Sequence, residues 1–408
     1  MTISGGKMRG VNRALALAFG LLVFGLLAMC FEARSALAQD WMFESALSQR
    51  FGYNSNLLLR PDNEISTFSS TTTPQLTLSR AGPTSDISLN GRFEFTQYFD
   101  HSELNEENQF AKLKSTKAFS ERSSMGFDAN FAHDTTTSSD DTDNTDDTDA
   151  TDRFVNTQIR FIRWDVTPSW QYLLSPIDRL KLSARYLQSD YFSSEKTDYR
   201  DYGPTITYTH DISELAAIFG QLDYSRFEPD DEVNTSQDVY GGLLGYNYHP
   251  TERFTISAAA GLNYNVTHED DAKDSAEIGY RFNLDMNYLI NDQTRATLTL
   301  SRDTEPTGDG EARTRNRGSV GLSYQMTEMV VFAVDGSYID DQETQSNSDV
   351  SRRIQVRPSV KWNITEDLTL GASYQFRYKT FESSGSAIDN AAFITLRYAL
   401  PDLTWSGF

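Results

Sequence analysis

Apolar and polar side chains alternate from residue 42 onward, in segments of about ten to fourteen residues. Between residues 276 and 289, for example, Ile278, Tyr280 and Phe282 share one face of an extended chain, whereas Glu277 and Arg281 share the other. A period of two residues is typical of a β-strand with one apolar and one polar face. Because the pattern recurs along the rest of the chain, it predicts an all-β fold.

About eighteen such segments follow one another, separated by residues that favour turns and loops. The predicted strands are 42–53, 66–79, 86–99, 109–119, 124–133, 158–174, 179–191, 199–210, 213–227, 237–248, 253–267, 275–289, 294–303, 314–325, 329–339, 352–363, 367–378 and 388–400.

The connections between these strands alternate between short and long. Tight turns at 175–178, 249–252, 291–293, 326–328 and 364–367 are separated by longer and more acidic loops. Short periplasmic turns and long extracellular loops are the rule for outer-membrane β-barrels, and an even strand number places both chain ends in the periplasm. The pattern therefore predicts a transmembrane antiparallel up-and-down barrel, with 134–152, 303–313 and 340–351 outside the cell.

Aromatic residues support a membrane barrel over a soluble sandwich. They recur near both ends of the apolar faces, where a membrane protein places its two interfacial girdles. The predicted periplasmic girdle contains Tyr172, Tyr248, Tyr288, Tyr324, Trp362 and Tyr398, and the outer one contains Phe99, Phe131, Tyr224, Tyr264, Tyr338 and Tyr378.

The N-terminus has the order of a secretory signal peptide. Basic residues precede an apolar run from 14 to 31, and Ala36-Leu37-Ala38 supplies a cleavage site. We predict a signal peptide at 1–38, with an uncleaved anchor as the alternative, and a barrel domain at 39–408. The one cysteine, Cys30, lies in the signal, so the mature chain has no disulfide.

Charge and hydropathy narrow the function classes. The chain has 36 Lys and Arg against 58 Asp and Glu, a net charge of −22, which argues against a nucleic-acid binder. Beyond the signal no stretch approaches the roughly 18 apolar residues of a transmembrane helix. The expected partners are outer-membrane lipid, lipopolysaccharide and the barrel assembly machinery.

Three segments carry a family resemblance: FGYNSNLLL at 51–59, PDNEI at 61–65 and PQLTL at 74–78. With the strand number and hairpin spacing, they resemble the β-barrel porins found with exopolysaccharide biosynthesis operons. The resemblance implies an outer-membrane conduit for export of a surface polysaccharide, with that polymer and periplasmic export components as partners. It supplies no catalytic residues.

The faces predicted to line the lumen are rich in bases. They carry Arg92, Lys112, Lys114, Lys181, Arg185, Arg281, Arg315, Arg317, Arg353, Arg357, Lys361, Arg377 and Arg397, against five counted acids, Glu94, Asp128, Glu277, Asp285 and Asp335. A basic, water-filled bore lowers the electrostatic barrier to anions. Arg353 and Arg357, with no acid on their own strand, are the expected constriction. The alternative is an internal charge ladder, such as Glu277 with Arg281.

Other functions remain open from the sequence. A general or anion-selective diffusion porin and a non-conducting adhesive barrel are the main alternatives to polysaccharide export. An enzyme is disfavoured, because His133-Asp134 and His268-Glu269-Asp270 lack a nucleophile at a suitable spacing. The Asp-rich segment 134–152 lacks the glycine and final glutamate of a calcium-binding EF-hand loop and is expected to be a solvated loop. No cofactor or metal is expected.

The C-terminus carries a weaker signal. The chain ends at Phe408, and a terminal aromatic is common in outer-membrane barrels, but Pro401 interrupts the last alternating run. We expect Leu403, Trp405 and Phe408 to form a short tail beyond the last strand.

Overall fold

The computed structural model describes residues 40–136, 157–231, 235–269, 273–343, 351–381 and 385–406. The predicted signal peptide, most of the Asp-rich segment and Phe408 lie outside these residues. The strands are β1 (Asp40–Asn54), β2 (Thr67–Ala81), β3 (Ser85–Tyr98), β4 (Glu106–Ser120), β5 (Ser123–Thr135), β6 (Arg160–Leu173), β7 (Asp178–Tyr191), β8 (Tyr199–Ser213), β9 (Ala216–Pro229), β10 (Ser236–Thr251), β11 (Phe254–His268), β12 (Ser275–Asn291), β13 (Thr294–Pro306), β14 (Ala312–Gln325), β15 (Val330–Glu343), β16 (Ser351–Asn363), β17 (Leu368–Phe381) and β18 (Gly385–Ser406). A 3-10 helix spans Ser102–Leu104.

Each strand pairs antiparallel with its neighbours in the sequence, and β1 also pairs with β18. The sheet is therefore a closed barrel of eighteen strands. Closure removes the free sheet edges that would otherwise expose unpaired backbone groups. The predicted up-and-down barrel is confirmed, and each predicted strand overlaps one observed strand.

The barrel has two different ends. At one end, which we call the turn end, connections of two to four residues join the strands. The first strand begins at this end and the last strand finishes there. At the other, the loop end, the connections are mostly longer, for example 55–66, 99–105 and 192–198. By the rule for outer-membrane barrels the turn end faces the periplasm and the loop end faces outward.

The outward face of the barrel is apolar. Leu244 is 76% exposed and Ile278 is 70% exposed, which a water-soluble sheet would not tolerate over a whole surface. Apart from Phe99, which follows the last residue of β3, the register places both predicted aromatic sets on this same face. An apolar band between two aromatic girdles is the lipid-contacting surface of a membrane-spanning barrel. Among the described residues, no helix has the length and apolarity needed to cross a membrane.

The last strand corrects one expectation. Instead of ending before Pro401, β18 continues to Ser406, and Trp405 pairs with Trp41 on β1. The register shifts between Phe43 and Ser45, which face Leu403 and Leu400, so two residues of β18 lie opposite one residue of β1. This is a β-bulge, where a proline without an N–H group is tolerated.

The orientation can be tested by cysteine labelling on intact cells. A cysteine at Ser102, in the 3-10 helix at the loop end, is expected to react with a membrane-impermeant maleimide, because it is exposed and outside the cell. A cysteine at Ile177, exposed in a short turn, should react only after the outer membrane is permeabilised. The reverse result would invert the assigned orientation.

Candidate functional site in the barrel lumen

All the predicted lumen bases lie on the inward face of the sheet. Two residues that are cross-strand partners point to the same face of the sheet. The partners Arg353 and Lys379, Arg377 and Asp389, and Arg315 and Asp341 therefore identify which alternate residues of β14 to β18 point inward. The same alternation places the following residues inward: Arg92, Lys112, Lys114, Lys181, Arg185, Arg281, Arg317, Arg357, Lys361 and Arg397. A part for them in transport remains a prediction.

The lumen divides into two halves of different packing. In the loop-end half the inward side chains are buried, among them Asn54, Thr96, Asn108, Arg163, Ser189, Asp201, Asn263, Arg281, Arg315, Arg353, Arg377 and Asp389. In the turn-end half they are exposed, among them Lys114, Lys181, Asp285, Arg295, Lys361 and Arg397. We call this solvated half the vestibule. The lumen is thus open to solvent at the turn end and packed toward the loop end.

The β1–β2 loop, residues 55–66, contributes to this packing. Positive φ values of 46° at Leu59 and 55° at Asn63 turn the chain within the loop. Leu57 and Leu58 pack against the inward Tyr98. Leu59, 3% exposed, reaches a small gap lined by Ile339 and Arg353 on the inner wall. The loop therefore folds into the lumen.

Asp389 anchors the β1–β2 loop. Its Oδ1 accepts a hydrogen bond from the Asn56 backbone N–H at 2.8 Å, and its Oδ2 lies 2.7 Å from Arg377 Nη2. Arg377 Nη2 also donates to the Leu57 carbonyl at 3.3 Å. Asp389 is fully buried, so its charge depends on these donors for compensation.

The β13–β14 loop, residues 307–311, is a second inward element, which we call the strap. Asp309 Oδ1 lies 2.6 Å from Lys196 Nζ on the β7–β8 loop, and the Thr197 backbone N–H donates to the Gly308 carbonyl at 2.7 Å. The strands that flank these two loops lie six positions apart around the barrel. The strap therefore crosses part of the outer mouth.

Ion pairs neutralise the bases of the packed half. Arg281 lies 2.7 Å from both Asp223 and Asp303, and so bridges β9 and β13. Further pairs are Arg315 and Arg353 with Asp341, Arg315 and Arg317 with Glu305, Arg377 with Asp389, Arg92 with Glu94, and Arg185 with Asp165 and Asp201. A buried charge without a partner costs several kcal/mol, so this pairing is what allows so many arginines to be buried.

The sequence count of five lumen acids was therefore wrong. The register adds Glu106, Asp134, Asp165, Asp201, Asp223, Asp303, Glu305, Asp341 and Asp389 to the inward face. Four of these, Glu106, Asp134, Glu305 and Asp341, lie beyond the predicted ends of their strands. Arg353 has no acid on its own strand, as the sequence indicates, but it pairs with Asp341 on the neighbouring strand β15. A constriction at Arg353 and Arg357 remains a prediction. The alternative of an internal charge ladder is found at Arg281, with Asp223 and Asp303 as its partners instead of Glu277.

The vestibule keeps the excess of bases. Its inward bases are Lys112, Lys114, Arg179, Lys181, Arg185, Arg295, Arg357, Lys361 and Arg397, and its inward acids are the fewer Glu44, Asp86, Asp128, Asp211, Asp285 and Asp335. Arg179 pairs with Asp211 at 2.5 Å. Among the described residues, no ion-pair partner lies within 4 Å of Lys181, Lys361 or Arg397. The uncompensated positive charge of the lumen is concentrated here.

The two histidine motifs do not form an acid–base site in the described part of the chain. His133 faces outward, 6.0 Å from the Phe192 ring, whereas Asp134 faces inward and is buried. His268 lies on the outward face between Asp238 at 3.1 Å and Asp274 at 3.0 Å. Asp270 lies outside the described residues.

The sequence reasoning also missed an inward aromatic cluster at the outer mouth. Phe161, Tyr191, Tyr199 and Phe227 are all buried and lie near the loop ends of β6 to β9. The alternation along each strand could have identified this cluster, because all four aromatic residues occupy inward positions.

Comparisons with known proteins find similarity only among solved structures, since no protein-family model and no curated protein matches the chain. The FrpB iron transporter of Neisseria meningitidis (F3-3 variant) has 8% identity over 84% of this chain and 63% of its own, with a TM-score of 0.49. OccAB4 of Acinetobacter baumannii has 9% identity over 90% and 99%, with a TM-score of 0.46. OccK2 (OpdF) of Pseudomonas aeruginosa, in complex with glucuronate, has 9% identity over 88% and 98%, with a TM-score of 0.47. The chain spans less than two thirds of that FrpB chain.

Proposed function

We propose that this protein is an outer-membrane channel for small anionic solutes. The observation that carries the proposal is the division of lumen charge. The loop-end half pairs Arg281, Arg353 and Arg377 with carboxylates. The vestibule exposes Lys181, Lys361 and Arg397, for which the described part of the chain supplies no carboxylate partner. Anions that enter from the periplasm therefore meet a region of positive potential before they reach the packed half.

The location of these bases matters for selectivity. An exposed base in a narrow aqueous space raises the local concentration of anions and lowers their energy of entry. A base held by a buried carboxylate contributes little net potential at a distance, because the two charges cancel. Arg281 and Arg353, two of the lumen bases that the sequence predicts, belong to the second kind.

The packed outer half favours small solutes over a polymer. The β1–β2 loop and the strap both fold inward, and each is held by ion pairs and backbone hydrogen bonds. A polysaccharide chain would have to displace both. The family resemblance implies export of an anionic exopolysaccharide, which is the second candidate. Such a polymer would also be attracted by the bases of the vestibule. Its passage would require the β1–β2 loop and the strap to leave the lumen.

Charge selectivity tests the proposal. In a planar bilayer under a KCl gradient, the purified barrel is expected to give a reversal potential of the sign that favours chloride. The triple variant Lys181→Gln, Lys361→Gln, Arg397→Gln should lose that preference, because these side chains supply the uncompensated charge. Raising the salt from 0.1 M to 1 M should weaken it in the native barrel, since the Debye length falls from about 10 Å to about 3 Å.

The control is Lys117→Gln, which removes a positive charge at the same end of the barrel but on the outward face. It should leave the reversal potential unchanged. Cation selectivity in the native barrel would contradict the proposal. The absence of any conductance would instead favour a non-conducting structural barrel.

A further inference from the structure

The aromatic cluster at the outer mouth has the composition of a ligand site. Neighbouring ring centroids lie 5.7 Å apart for Phe161 and Tyr191, 6.4 Å for Tyr191 and Tyr199, and 5.4 Å for Tyr199 and Phe227. The rings therefore form a continuous inward patch across four strands. Small-molecule sites are commonly built from such aromatic walls with a few polar groups at fixed positions.

Arg163 supplies a cationic group to this patch. Its Nη2 lies 3.1 Å from the Tyr199 hydroxyl and 3.4 Å from the Tyr191 hydroxyl, and its guanidinium carbon lies 5.1 Å from the Phe161 ring centre. Aromatic faces accept the apolar face of a sugar ring, hydroxyl groups exchange hydrogen bonds with its hydroxyls, and a guanidinium binds a carboxylate. The patch combines the three kinds of contact that a uronate ring needs.

The strap lies directly on this patch. A Cβ atom built on Gly308 would fall 2.5 Å from Cζ and Oη of Tyr191, so only a glycine can approach the ring this closely. Ala312, at the start of β14, is buried in the same cluster. The strap backbone thus takes the place next to Tyr191 that a ligand ring would take.

The base of the strap has no backbone hydrogen-bond ladder to β12. The ladder between β12 and β13 stops at the pair Phe282 and Arg302, although β12 begins at Ser275 and β13 continues to Pro306. Above that pair no backbone ladder joins the β13–β14 hairpin to β12, although the Arg281–Asp303 ion pair still links the two strands. The strap is then held on the opposite wall by the Lys196–Asp309 ion pair and the Thr197–Gly308 hydrogen bond.

We propose that the aromatic cluster is a binding subsite for a sugar ring that bears a carboxylate, and that the strap occupies this subsite until such a ligand displaces it. This inference deepens the proposed function, since it names a solute class and a place on the path. The Lys196–Asp309 pair acts as the latch, because it is an ion pair that ties the tip of the strap to the β7–β8 loop. The apparent association constant of the ligand equals the intrinsic constant multiplied by the fraction of barrels in which the latch is open.

The test measures binding directly, by calorimetric titration of trigalacturonate into the detergent-solubilised full barrel. The variant Lys196→Ala, Asp309→Ala opens the latch and is expected to bind trigalacturonate about tenfold more tightly than the native chain. Maltotriose, which has similar rings without carboxylates, should bind at least about tenfold more weakly to the same variant. Arg163→Gln in the open-latch background should abolish this discrimination.

A cross-linked pair provides the matched control. The control chain carries Lys196→Cys and Asp309→Cys together with Cys30→Ser. When the two new cysteines are oxidised, their disulfide is expected to hold the strap closed, so that trigalacturonate does not bind. Reduction of the disulfide should free the strap and restore binding. Equal binding in the oxidised and reduced states, or equal binding of the two sugars to the open-latch variant, would overturn the subsite. Because titration does not depend on conduction, a barrel that binds in this way but passes no current would reject the proposed channel and keep the subsite.

Discussion

Replacement of Asp389 by asparagine is expected to destabilise the barrel by about 3–5 kcal/mol, the usual cost of leaving one member of a buried ion pair without its partner. Asp389 is fully buried, and it is the carboxylate that neutralises the buried Arg377. The same substitution weakens the hydrogen bond to the Asn56 backbone N–H, which anchors the β1–β2 loop. Urea unfolding in detergent, followed by tryptophan fluorescence, measures the loss.

The matched control is Asp285→Asn, which makes the same change at an exposed lumen carboxylate in the vestibule. Asp285 accepts a hydrogen bond from Thr299 at 3.1 Å but has no buried arginine to neutralise. Its replacement should change the free energy of unfolding by only about 0.5 kcal/mol. If both variants lose the same stability, the packed half does not depend on its ion pairs in the way described.

Replacement of Leu284 by arginine should cost about 2–4 kcal/mol, because Leu284 points into lipid from the middle of β12. Its cross-strand neighbours Ala258 and Leu300 share the outward face and offer no partner for a charge. The same arginine at Asn283, one residue earlier, points into the lumen and is exposed there. That variant should stay within about 1 kcal/mol of the native chain.

Reversible unfolding in lipid vesicles measures both arginine variants. Equal losses at residues 283 and 284 would contradict the assignment of one face to lipid and the other to water. A larger loss at Asn283 would reverse the two faces.

The strands could be predicted from the sequence because two solvents impose a period of two on every one of them. Ile278, Tyr280 and Phe282 alternate with polar residues because every second side chain of β12 faces lipid. The same alternation predicts that Arg281 and Arg357 face inward. Beyond the aromatic girdles both faces of the sheet meet water, so the alternation of apolar and polar residues is lost there. Glu305 and Asp341 were missed for that reason, although they occupy inward positions of their strands.

The inward loops could not be predicted from periodicity, because their positions depend on contacts far apart in the sequence. Lys196 and Asp309 are 113 residues apart, and nothing near either residue indicates the other. The β1–β2 loop did carry a local signal. Leu57, Leu58 and Leu59 are three consecutive apolar residues in a loop, which neither a lipid face nor a solvated loop explains, and all three are buried inside the barrel.

The pairing of β1 with β18 has a consequence for how the barrel forms. These two strands come from opposite ends of the sequence, so their ladder closes the longest loop in the chain and has the largest entropic cost. Contacts of such high sequence separation slow folding, and until they form, both strands remain open edges that can pair with another chain. The bulge at Pro401 lies within this last ladder, where a slip of one residue would turn the apolar face of β18 toward the lumen. A residue that cannot donate a backbone hydrogen bond thus lies at the bulge that sets the register of the closing ladder.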